Sequence, residues 1–101
     1  MGDDTMTEQA AGFSAKPELS NKWFRAYRIV LSPGERSATH KHRASVAIIQ
    51  ATPGQGHGAG ATKWEFNQPG QWAFFDAGDS HDFRNTGEGP IELIEVEIQR
   101  K

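Results

Sequence analysis

The 101-residue chain is predicted to fold as an all-β sandwich or barrel. Short runs rich in Val, Ile, Phe and Trp recur along it, Gly- and Pro-bearing turns separate them, and no stretch sustains a helical period. One core fits this length, so a single domain over residues 21–101 is expected.

In chain order, residues 1–20 are polar and without period and are expected to form a loose N-terminal arm. The run Trp23 to Leu31 is aromatic and β-branched and reads as a strand, ended by the turn Ser32-Pro33-Gly34. A second strand is expected from Ser37 to about Gln50. It would carry His40, His42, Ala44, Val46, Ile48 and Gln50 on one face, with Val46 to Ile49 apolar on both sides. Thr52 to Gly60 is the most glycine-dense segment, has no phosphate-loop spacing, and reads as a flexible hairpin connection. Strands follow at Thr62–Phe66 and Trp72–Phe75, with Asn67-Gln68-Pro69-Gly70 turning between them. From His81 to Asn85 alternation places His81, Phe83 and Asn85 on one side. In the last strand, from Ile91, the expectation is Ile94, Val96 and Ile98 inward, with Glu95 and Glu97 in solvent.

Composition narrows the function. Eleven basic against thirteen acidic residues give a formal net charge of -2 with no basic cluster, which argues against a nucleic-acid partner. Mean hydropathy is -0.68, and the longest apolar run, Val46 to Ile49, is far too short to span a membrane. The absence of cysteine excludes disulfides, thiolate ligands and a cysteine nucleophile. Met1 to Thr7 lacks the basic and apolar regions of a signal peptide, so a cytoplasmic location is expected.

The chemistry is carried by histidines. His40 and His42, one residue apart on a strand, would project to the same side, and His81 is the third imidazole able to join them. Three neutral imidazoles converging from two strands make a first shell for a divalent transition metal: iron, nickel, manganese or zinc. Gln50 faces the same way but lies too far along and reads as a rim residue. Asp76 and Asp79 read as turn formers, with a supporting hydrogen bond to a ligating histidine as the alternative. Asn85 would orient the loop beside His81, and His57 reads as a solvated loop residue. Trp64, Phe66, Trp72, Phe74 and Phe83 read as core, some of them walling a pocket.

These two histidine segments resemble the paired motifs of the cupin superfamily. Gly34, His40 and His42 match the first motif, with Gly54 a looser closing glycine; Gly70, Gly78, His81 and Asn85 match the second, with Asp76 in its proline place. The resemblance spans roughly Trp23 to Ile98 and implies a small double-stranded β-helix with a metal pocket in the barrel mouth, often dimeric. The first motif's glutamate is missing, its place falling on Val46 or Ala47. His42 to Val46 also resembles small stand-alone cupins, some labelled β-alanine degradation proteins.

A neutral histidine triad leaves the ion its full double charge and favours small anionic ligands. By resemblance to three-histidine thiol dioxygenases, oxygenation is available, as is isomerisation through an enolate. The rival expectations are a non-catalytic small-ligand-binding cupin with a degenerate metal site and a metal-free isomerase in which a histidine is the base. A homodimer is expected from the two-sided apolar run at Val46 to Ile49.

Overall fold

The computed structural model describes residues 14–37, 40–41, 44–60 and 63–98, with backbone alone at 14–15 and 40–41. Nine strands form among them: β1 (Ser14–Ser20), β2 (Phe24–Leu31), β3 (His40–Lys41), β4 (Ser45–Gln50), β5 (Gly56–Gly60), β6 (Trp64–Phe66), β7 (Trp72–Phe75), β8 (Ser80–Asn85) and β9 (Ile91–Ile98). They build a five-stranded sheet in the order β1-β2-β9-β4-β7 and a four-stranded sheet in the order β3-β8-β5-β6. Every pairing is antiparallel. From β2 onward the chain crosses between the sheets in jelly-roll order, and this is the double-stranded β-helix that the resemblance implied. No helix among the described residues is long and apolar enough to cross a membrane.

The core lies between the sheets. Tyr27, Ile29 and Leu31 of β2, Val46 and Ile48 of β4, Phe75 of β7 and Leu93 of β9 meet Phe66 and Phe83 from the opposing sheet. Full burial of each such side chain is worth about 1.5–3 kcal/mol.

Several expectations are corrected. Residues 1–13 of the predicted arm lie outside the described residues, but Ser14–Ser20 pairs with β2 as an edge strand. Arg28 ties that edge inward, donating to Glu18 at 3.2 Å and to Glu92 of β9 at 2.8 Å. The hydrogen bond to Glu92, then that to Glu18, raises the guanidinium pKa further above its ordinary value. The single strand expected from Ser37 to Gln50 is two strands in different sheets, with a bend at Ala44. A strand that changes sheet has to break its alternation, which a continuous count by twos misses.

The glycine-dense segment is also a strand. Gly56 and Gly58 of β5 are buried on the inner face, paired with Phe66 and Trp64 of β6 on one side and with Asn85 and Phe83 of β8 on the other. A Cβ on Gly58 would fall inside the indole of Trp64, and one on Gly56 inside the ring of Phe83. Trp64 stacks on Phe83 with centroids 5.2 Å apart and meets Phe66 edge-on at 4.8 Å. These glycines are floors for aromatic rings rather than hinges. Gly58→Ala should therefore destabilise the fold by about 1–3 kcal/mol through overpacking, measured as a lowered denaturant midpoint, with Ala59→Gly on the same strand far milder.

Candidate functional site

β8 positions the site. The turn before it is closed by Asp79 N–H donating to Asp76 O at 3.0 Å and Asp76 N–H donating to Asp79 Oδ2 at 3.2 Å, with Gly78 at φ 91°. Alternation along β8 then buries His81, Phe83 and Asn85, while Arg84 is exposed. His81 is 2% exposed, and its ring stacks on Phe75 of β7 with centroids 4.6 Å apart and planes 25° off parallel.

The register of β3 on β8 pairs His40 with His81 residue for residue. Directly opposed residues of an antiparallel pair share a sheet face, with Cβ atoms about 4.5–5.5 Å apart in general. The His40 side chain and all of His42 lie outside what is described. Among the described residues, no group of three or more His, Cys, Asp or Glu side chains could hold a metal ion.

What His81 faces is Glu95. Its Nε2 lies 3.9 Å from Glu95 Oε1, and both side chains are 2% exposed. Sequence reasoning put Glu95 and Glu97 in solvent; the burial pattern of β9 is the reverse, with Ile91, Leu93, Glu95 and Glu97 buried and Ile98 exposed. The signal available was Ile91 and Leu93, which share their face with both glutamates. Glu97 is fully buried and paired with Arg25 Nη2 of β2 at 3.1 Å. Cross-strand register places Arg25 opposite Glu97 and Tyr27 opposite Glu95, so β2 and β9 present a polar ladder toward one end of the sandwich. His81, Glu95, Ser37 and Phe83 line a void of about 10 Å³, closed by Leu31, Ile48 and Leu93. That is room for roughly one water-sized sphere.

The remaining candidates sort by contact. Gln50 is buried rather than at a rim, and its Nε2 donates to Thr52 O at 2.9 Å and Gly54 O at 3.0 Å, shaping the loop after β4. Asn85 donates from Nδ2 to Leu31 O and Gly89 O, both at 2.9 Å, and accepts from Gly87 N at 2.9 Å, pinning the loop into β9. Asp76 is exposed and serves the turn, and Phe83 walls the void. His57 is exposed on β5 with Nδ1 3.6 Å from Glu65 Oε2. Trp72 and Phe74, expected in the core, are 67% and 49% exposed on the outer face of β7.

The profile described as "Cupin domain" matches residues 27–97, which covers most of β2 through β9. The chain is 30% identical over 90 residues to a Thermotoga maritima protein named "Oxalate-binding protein", covering 89% of this chain and 74% of that one. Among solved structures, a cupin domain from Bordetella pertussis superposes with a TM-score of 0.74 at 16% identity, covering 88% of this chain and 95% of that one. A Cupin 2 conserved barrel domain protein from Salinispora arenicola gives a TM-score of 0.75 at 18% identity, over 88% of this chain and 77% of that one. The profile match and the Thermotoga relative, with the jelly-roll order of the strands, establish that this chain belongs to the cupin family.

Proposed function

We propose that this cupin binds one divalent transition ion (iron, nickel, manganese or zinc) through His40, His42 and His81, and presents it to a small anionic ligand. The observation that carries the reading is the backbone register that sets His40 directly across from the buried His81. The donor chemistry suits iron, nickel and zinc better than manganese, which prefers oxygen donors, and the void beside His81 has room for about one water-sized sphere. When bound, the ion would act as a Lewis acid toward a carboxylate or enolate. The chain's own residues hold the surroundings. Phe75 packs against the His81 ring and limits its rotation, and Phe83, Leu31 and Leu93 keep the void apolar on its closed side.

The void is too small for a metabolite, so a ligand has to meet the site from the polar end of the sandwich, where Arg25 is partly exposed. A small dicarboxylate suits both a cation and a guanidinium. We read the protein as an enzyme of dioxygenase or isomerase type. The second reading, a ligand-binding cupin without catalysis, is favoured by the name of the Thermotoga relative.

The same reading includes a homodimer. The outer face of β7, β4 and β9 carries an apolar stripe: Trp72 pairs with Ile49, Phe74 with Ala47, and these with Ile94 and Val96 of β9. Trp72 and Phe74 sit on an edge strand, where such a face favours association. A second copy packing the same face symmetrically would cover it.

Separate measurements test the metal, the ligand and the dimer. Untagged protein should carry about one equivalent of metal per chain by mass spectrometry, and His40→Ala and His81→Ala should lose it; absence of metal under every loading condition overturns the metal reading. On metal-loaded protein, calorimetric titration with oxalate should give saturable binding that the same variants abolish, and turnover of a dicarboxylate would separate enzyme from binder. In sedimentation equilibrium the wild type should be a dimer at micromolar concentration, and the double variant Trp72→Glu, Phe74→Glu a monomer with unchanged far-ultraviolet circular dichroism. A monomeric wild type removes the dimer.

A further inference from the structure

We propose that Arg36 and Arg84, side by side on the outer face of the four-stranded sheet, bind the phosphate group of a small phosphate monoester. The site lies outside the barrel and is independent of the metal reading above.

Register makes the pair. The segment after β2 runs antiparallel to β8, and an isolated bridge sets Arg36 directly opposite Arg84. The flanking bonds are Ser37 N–H to Phe83 O at 2.9 Å and Asn85 N–H to Glu35 O at 3.0 Å. Arg36 and Arg84 are therefore a non-hydrogen-bonded pair, the closer of the two antiparallel kinds, with Cα atoms about 4.5 Å apart in general. Their neighbours are locked inward: Ser37, Phe83 and Asn85 are buried, and Ser37 Oγ accepts from Phe83 N–H at 3.0 Å. Alternation then leaves both arginines exposed on one face. Along the same row, His57 of β5 lies across from Arg84, and Glu65 of β6 across from His57.

Like charges directly opposed across two strands destabilise the sheet unless something neutralises them. The other described arginines are matched, Arg25 by Glu97 and Arg28 by Glu18 and Glu92. Among the described residues, no carboxylate does this for Arg36 or Arg84. The acids nearby are engaged: Glu35 Oε1 accepts from Ser32 N–H at 2.8 Å, Glu65 lies 3.6 Å from His57, and Asp82 has its own interaction. Charge then selects the ligand. A carboxylate brings a single negative charge, which one guanidinium satisfies bidentately. A phosphate monoester carries about −1.5 to −2 at neutral pH and three acceptor oxygens. Two adjacent guanidiniums, each a planar fork of N–H donors, match it in charge and in hydrogen bonds.

The test titrates the full-length protein with glycerol 3-phosphate and follows backbone amide shifts by NMR, beside Arg36→Gln, Arg84→Gln and the double variant. Glycerol, and sodium chloride at matched ionic strength, are the controls. Wild type should show saturable shifts centred on residues 35–37 and 83–85, which neither control reproduces. Each single variant should bind at least about fivefold more weakly, and the double variant should not saturate. Both side chains are exposed, so the variants should keep the wild-type circular dichroism. Unchanged affinity in the variants, a response that sodium chloride reproduces, or no saturable shift in the wild type would each overturn the proposal and leave the metal reading intact. Shifts centred on His81 instead would also overturn it, and would assign the phosphate to the histidine site.

Discussion

Two carboxylates on the inner face of β9 constrain the rest of the sandwich. Glu95 and Glu97 enter an interior otherwise made of Leu, Ile, Val and aromatic rings, and neither can be withdrawn, because β9 is held between β2 and β4. Interior charge has to be matched locally: Arg25, on the neighbouring strand β2, lies across from Glu97, and Glu95 faces the His81 imidazole of the opposing sheet. The polar end of the barrel and its apolar end are therefore set by one strand. Around Leu93 and Ile91 the interior is largely hydrocarbon, closed by two loops, one shaped by Gln50 and the other by Asn85.

The opposing sheet is built so that rings can fill this interior. Gly56 and Gly58 remove side chains where Phe66, Trp64 and Phe83 converge from both neighbours, and the aromatic layer they admit forms one wall of the core. Phe75, arriving from the other sheet, stacks on His81. The histidine is thus held on one side by an aromatic face and approached by a carboxylate, which fixes its ring while leaving its nitrogens near the void. A rigid, pre-set imidazole is what a metal ligand or an acid–base group needs, so the packing serves any of the chemistries considered for this site.

The five-stranded sheet carries apolar side chains on both faces. Val46, Ile48 and Leu93 face the core, while Ile49, Ile94, Val96, Trp72 and Phe74 face outward. This second set of apolar residues is why alternation alone predicts the reverse orientation for β9. Ile94, Val96 and Ile98 look like core residues until the outer face of the sheet is also known to be hydrophobic. Side-chain hydrophobicity alone does not say which face of a strand packs on the core when both faces carry apolar residues.

Local sequence was enough for the β class, for strands at Phe24–Leu31, Trp72–Phe75, Ser80–Asn85 and Ile91–Ile98, and for the inward face of β8 with His81, because period and turn chemistry are short-range properties. The paired histidine segments also marked the jelly-roll topology through resemblance. Tertiary structure alone decided the break that sends His40–Lys41 and Ser45–Gln50 into different sheets, the use of glycines as floors for aromatic rings, and the inward turn of Glu95. Each of these depends on what lies across the sandwich, many residues away along the chain. Alternation says that a strand has two faces; only the packing partner determines which of them is inside.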